Sequence, residues 1–104
     1  MKRCMYREDL VRLDRRLALE IEPERRHKLT RLARQEIDEL EAAELKIITP
    51  RQAYSGAYWK ARAARVRQAS NLYRSEPIHD HLMQIAAGYE KLAERAYRIQ
   101  QDAA

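Results

Sequence analysis

The stretch SGAYWKARAARVRQASNLYRSEPIHDHLMQIAAGYEKLAERAYRI, residues 55–99, decides the fold. Its apolar residues recur at spacings of three and four, the period of a helix rather than a strand. Trp59, Ala63, Val66, Ser70 and Tyr73 share one face of the first half. Tyr54, Tyr58, Ala61 and Leu72 lie on a second, interrupted surface of the same helix. Ile78, Leu82, Ile85, Ala86, Tyr89, Leu92, Ala93, Ala96 and Ile99 form the widest apolar stripe in the chain. Between the two halves stands Ser75-Glu76-Pro77. Ser75 or Glu76 suits a helix cap, and proline suits the first helical turn, where its missing amide hydrogen costs nothing. Two long amphipathic helices meet at a sharp corner, and the second runs from Pro77 to about Gln100, with Gln101 to Ala104 expected to fray. Gly88 falls off the stripe, at a point where another backbone can come close.

Upstream, the same period predicts two more helices. Tyr6, Leu10, Leu13, Leu17 and Ile21 line one face of a helix from about Tyr6 to Glu22. Glu22-Pro23 breaks it and begins a helix to about Lys46, whose stripe is Leu29, Leu32, Ala33, Leu40, Ala43 and Ile47. Glu36 interrupts that stripe, either as a buried carboxylate serving a site or as one reaching out from the edge to water or an arginine. The second reading is favoured, because carboxylates are rarely buried without a partner. The short link at Pro23 folds these helices into an antiparallel hairpin.

Thr49-Pro50-Arg51-Gln52 has the spacing of a capping box, so the third helix can begin at Pro50 and run to Tyr73. Ser55-Gly56 is a rival start, or a kink within one long helix. The sequence supports each of these. The expected architecture is all-α: four helices as two antiparallel helical hairpins, residues 5–47 and 50–100, forming one bundle over residues 1–104. Self-association is one route to completing so small a core. Both halves share the format helix, Glu-Pro, helix, and Leu29, Leu32 and Ala33 echo Leu82, Ile85 and Ala86.

Charge gives the strongest functional signal. The chain of 104 residues carries 21 Lys and Arg against 16 Asp and Glu, for a formal charge of +5. From Leu45 to Ser75 there is no acid, while Lys46, Arg51, Lys60, Arg62, Arg65, Arg67 and Arg74 all fall there. The remainder, with 14 basic and 16 acidic residues, is close to neutral. Lys60, Arg67 and Arg74 recur every seven residues and form one stripe beside Trp59; Arg62 and Arg65 lie on the far side. With Tyr54 and Tyr58, these residues are the candidate partner-binding set. Such a stripe can dock an acidic protein surface or track the phosphates of a nucleic acid. Equally, its arginines can pair with acids of neighbouring helices.

Enzyme signatures are missing. Two glycines leave no phosphate loop and no nucleophile elbow. His79 and His81 are two apart and point in different directions on a helix, so a metal pair is not expected, and His27 stands alone near the start of the second helix. Cys4, the only cysteine, has no nearby partner in sequence and suits a reducing compartment. No cofactor is expected. The charged N-terminus lacks a signal core, and no apolar run is long enough to cross a bilayer, so a soluble cytoplasmic protein is expected.

Ala57-Tyr58-Trp59-Lys60-Ala61-Arg62-Ala63, Val66-Arg67, the Glu76-Pro77 corner and Leu82 to Ala96 together resemble a pattern in small helical proteins of alphaproteobacteria. In that pattern an aromatic-rich helix and an Asp-Pro turn precede a helix of the form IAxxYExLAERA. Glu22-Pro23-Glu24-Arg25-Arg26 is similar to a turn in the same group. Here Glu stands where Asp usually caps, and Ala64 and Arg65 stand where acids usually follow the aromatics. The resemblance implies a bacterial helical hairpin and no activity. The expected function is a small non-enzymatic interaction or regulatory protein docking an acidic partner through the third helix. Nucleic-acid binding by the same stripe and a role as accessory subunit of a larger complex are the alternatives.

Overall fold

The computed structural model describes residues 8–103, all-α with no strand among them. α1 spans Glu8–Leu19, α2 Pro23–Leu45, α3 Pro50–Ala53, α4 Gly56–Ser70 and α5 Glu76–Ala103. α1 and α2 form one hairpin and α4 and α5 the other, with α2 meeting α5 along the seam between them. α3 is a single turn in the connection.

Each boundary has a local cause. Glu22 is extended (φ −75°, ψ 124°), as the residue before a proline must be, and Pro23 opens α2. Arg26 then reaches back and donates from Nη1 to the Leu17 carbonyl at 2.7 Å, covering the exposed end of α1. α1 therefore stops at Leu19, and Ile21 is 91% exposed rather than part of the apolar face. Tyr6, the other outer member of that face, lies outside the described residues, as does Cys4.

Both candidate starts of the third helix are used. Thr49 Oγ1 accepts the Gln52 amide at 3.1 Å, and Gln52 Oε1 accepts the Thr49 amide at 2.9 Å, closing the capping box on α3. Ser55 Oγ then accepts the Tyr58 amide at 3.1 Å and starts α4. The Trp59 indole donates to the Ala53 carbonyl at 2.8 Å, which ties the two pieces together.

At the second corner the cap comes from far away. The Asp14 carboxylate of α1 accepts the Arg74 amide at 3.1 Å and the Ser75 amide at 2.8 Å, just ahead of α5. Neither Ser75 nor Glu76 caps α5 with its side chain; the Ser75 hydroxyl is buried without a partner. α5 continues through Gln101 and Asp102 to Ala103, past the expected frayed end.

One apolar cluster spans both hairpins: Leu10 and Leu17 of α1, Ile37 of α2, Val66 of α4, and Ile78 and Leu82 of α5 are wholly buried within it. Burying each such side chain stabilises the fold by about 1.5–3 kcal/mol. The core face of α2 is Leu29, Ala33, Ile37 and Glu41, with Leu40 packed against the core; Leu29, Ala33 and Leu40 are as expected, whereas Ile37 and Glu41 are additions. Leu32 is 52% exposed, Ala43 is exposed, and Ile47 lies beyond the helix. Glu36 is half-buried in a groove with Arg12, Arg16 and Leu32, at the edge of the core. The molecule measures 55 × 29 × 19 Å, with a radius of gyration of 15.7 Å. A compact domain of this length has about 13 Å.

Candidate functional site

The acid-free stretch of sequence meets acids in space. Arg62, on α4, is only 5% exposed and donates from Nη2 to Glu41 Oε1 of α2 at 2.9 Å. Its Nη1 lies 3.8 Å from Glu44. The Tyr89 hydroxyl of α5 donates to the same Glu41 oxygen at 2.7 Å, and the Arg62 guanidinium lies 5.9 Å from the Tyr89 ring centroid. Trp59 stacks on Tyr89 with centroids 5.5 Å apart. Burial opposes the Arg62 charge, but Glu41 and Tyr89 together outweigh it and hold Arg62 charged beyond its usual range. Burial and then the bond to Glu41 push the Tyr89 hydroxyl well up, with Arg62 pulling weakly the other way. This cluster joins α2, α4 and α5, and it fixes a cation in the floor of an adjacent groove.

That groove, about 320 Å³, lies where α2, α3 and α4 converge. Ile47 and Ile48 line it from the break after α2, and Tyr58, Ala61 and Arg65 line it from α4. Glu44 and Gln52 complete its rim. Ile47 is 71% exposed. Tyr58 is half-buried, its ring edge-on to Trp59 at 5.0 Å. Lys46, Arg51 and Lys60, all exposed, each adjoin a groove residue in sequence. None of them, nor Arg65, forms an ion pair with another described residue.

The structure divides the candidate partner-binding set. Lys60, Arg65, Tyr58 and, at the joint of α3 and α4, Tyr54 (66% exposed) belong to the groove end of α4. Arg62 belongs to that end too, but it is buried against Glu41 rather than presented on the surface. Arg67 leaves the stripe: its Nε donates to Glu90 Oε2 of α5 at 3.0 Å, and its Nη2 pairs with Glu90 Oε1. The Arg67 hydrogen bonds hold the Glu90 carboxyl below its usual range. Arg74 sits beyond the far end of α4, where its amide is bound by Asp14. Lys60 and Arg67 stand on α4, whereas Arg74 follows its C-terminal end, so the seven-residue spacing does not continue as one helical stripe to Arg74. Glu41 and the Ile47-Ile48 edge escaped the sequence reading. Two β-branched residues between a helix end and a capping box are the signal that marks an exposed apolar corner.

Comparison with protein-family models, curated proteins and solved structures finds no match. Other candidate groups have simpler roles. His81 Nε2 lies 2.7 Å from Asp38 Oδ1 and bridges α5 to α2, while His79 sits 3.4 Å from Asp80. His27 is exposed. No group of three or more His, Cys, Asp or Glu suited to a metal occurs among the described residues. None of the described helices is long and apolar enough to cross a membrane.

Proposed function

We propose that this chain is a small, non-enzymatic bacterial interaction or regulatory protein that docks an acidic, partly apolar protein segment at the α2–α3–α4 groove. One observation carries the reading. Arg65 lines the groove beside exposed Ile47 and half-buried Tyr58, exposed Lys46 and Arg51 adjoin its lining in sequence, and none of the three has an ion-pair partner among the described residues. Apolar contact supplies affinity there, and the cations select an acidic partner and speed encounter. The arrangement favours protein over nucleic acid. A phosphate-tracking surface needs cations at intervals along its length, and Arg67 is bound by Glu90 in the middle of the stripe.

A pool of fluorescein-labelled amphipathic peptides carrying Leu and Glu at helical spacing tests this, with mixed-sequence RNA and DNA as competitors. The pool is expected to bind, and Lys60→Glu with Arg65→Glu to weaken binding at least about tenfold, or 1.4 kcal/mol. Arg74→Glu, at the other end, is expected to leave it unchanged. Peptide binding indifferent to the reversal removes the groove as the dock. Binding to nucleic acid alone, falling steeply with salt, replaces this reading with phosphate recognition.

A further inference from the structure

The α1–α2 hairpin is electrically polarised. Residues 12–34, around its turn, hold eight Lys and Arg against four Asp and Glu, whereas residues 36–44 hold five acids and no base. The four acids near the turn are engaged or sit at a helix start. Asp14 accepts the Arg74 and Ser75 amides, and Glu20 accepts the Glu22 amide at 3.3 Å. Glu22 lies 3.4 Å from Arg25, and Glu24 stands in the first turn of α2. Arg15, Arg16, Lys28, Arg31 and Arg34 are exposed, and none forms an ion pair with another described residue. This positive pole ends in apolar side chains. Leu19 and Ile21, at the turn, are 82% and 91% exposed, and Leu72, on the neighbouring α4–α5 corner, is 76% exposed. No other large apolar side chain described is as exposed. The corner adds no net charge, because exposed Arg74 and Glu76 offset each other.

The turn is convex. Asp14 marks the level of the α4–α5 corner and Leu19 follows five residues later, so the tip projects about 8 Å past that corner. A partner protein would have to bring a pocket for such a tip, and a nucleic acid would leave its aliphatic side chains in water. A lipid surface accommodates both features: it yields around apolar side chains and carries phosphates beside them. We propose that the α1–α2 turn anchors the protein on an anionic bilayer surface. Leu19 and Ile21 enter the boundary between headgroups and acyl chains, and Arg15, Arg16, Lys28 and Arg31 rest on lipid phosphates. Arg15 stands one turn before Leu19 on the same face of α1, and Lys28 and Arg31 fall within about 12 Å of the start of α2. The acids interleaved with the aliphatic residues keep insertion shallow, while each cation near the negative surface adds to the attraction. The anchor is therefore weak and reversible, needs anionic lipid and loosens with salt. It is independent of the groove, which opens at the other end of α2, about 34 Å away. A chain seated by its turn holds the groove toward solution, free for a partner.

Co-sedimentation of the full chain with lipid vesicles provides the test. Vesicles of equal parts phosphatidylcholine and phosphatidylglycerol are expected to bind it at low salt, and phosphatidylcholine alone to bind it at least about tenfold less. Leu19→Ser with Ile21→Ser, and separately Arg15→Gln with Lys28→Gln, are each expected to weaken binding at least about tenfold. All four positions are exposed, and circular dichroism verifies that the variants keep their helices. Lys60→Gln with Arg65→Gln, at the groove end, removes the same charge as the second tip variant and is expected to bind vesicles like the wild type. A wild type that leaves the anionic vesicles unbound at low salt overturns the anchor. So does vesicle binding that survives either tip variant, or that is lost in the groove variant. Capture of mixed-sequence DNA through Arg15 and Lys28, with no binding to vesicles, replaces lipid with nucleic acid.

Discussion

At 5% exposed, Glu41 has given up its water, and the Arg62 guanidinium and Tyr89 hydroxyl replace it. Removing Glu41 leaves the buried Arg62 with only Glu44, 3.8 Å away, as a counter-charge, and breaking a buried pair costs up to about 3–5 kcal/mol. A small domain has only about 5–15 kcal/mol in total. Glu41→Ala is therefore expected to lower the urea midpoint sharply. Glu41→Leu combined with Arg62→Leu is expected to recover most of the loss, because no charge is then stranded. If Glu41→Ala costs less than about 1 kcal/mol, in the range of exposed pairs, the cluster is not desolvated as described. Tyr89 adds a pH signature. Its folded value is raised above the unfolded one near 10, so the fold favours the neutral hydroxyl. Stability from this group is complete below the unfolded value and is lost as pH rises through the folded one. Urea midpoints should fall as pH rises above about 10, and those of Tyr89→Phe should fall less over the same range. Parallel curves for the two proteins would remove Tyr89 as a source of the slope.

At the scale of the helix, the two glycines exchange the roles their positions suggest. Gly88 was the candidate for close approach, yet a Cβ built there meets nothing within 4 Å. Gly88→Ala on the exposed face of α5 is expected to stabilise by about 0.4–1 kcal/mol, through helix propensity and a less disordered unfolded chain. Thermal melting checks this; a lower melting temperature would mean that something covers that face. Gly56 is the close contact, because a Cβ there would stand 2.7 Å from the Tyr97 ring. The helices show how far periodicity reaches. The stripe of Trp59, Ala63, Val66, Ser70 and Tyr73 is buried as its spacing indicates, and so are Ile78, Leu82, Ala86, Tyr89, Ala93 and Ala96, whereas Leu92 and Ile99 of the expected α5 stripe are exposed. On α2 the same method slips, because the true face ends in a charge. Leu29, Ala33, Ile37 and Glu41 follow one another at intervals of four; the apolar reading misses Ile37 as well as Glu41, and takes in the exposed Leu32 and Ala43 beside Leu40, which does pack on the core. What keeps Glu41 inside is an arginine 21 residues later, a pairing that only the tertiary fold creates. The groove was half legible for the same reason. Its cations stand out in the sequence, but which of them are neutralised depends on α2 and α5.

The whole molecule is a staggered pair of hairpins, and its two halves are unequal. α4 and α5 share the most extensive packing, whereas the α1–α2 hairpin joins them over a thinner seam. That seam is pinned by polar contacts at three levels: Asp14 on the amides of Arg74 and Ser75, Asp38 beside His81, and Glu41 on Arg62 and Tyr89. Such an arrangement should not open all at once. Local opening follows the elements with the least buried contact, so hydrogen exchange is expected to be slowest in α4 and the first half of α5 and fastest in α1. Asp14→Ala sharpens the expectation. It strands two amides at the start of α5, one of them fully buried, at about 1–3 kcal/mol for a lost partner. If the seam opens as a unit, exchange in α1 and around Ser75 should accelerate first, with the centre of α4 retaining its protection. Equal acceleration in every helix would show instead that the two hairpins unfold together, and that the Asp14 bonds support the global fold rather than a separable joint.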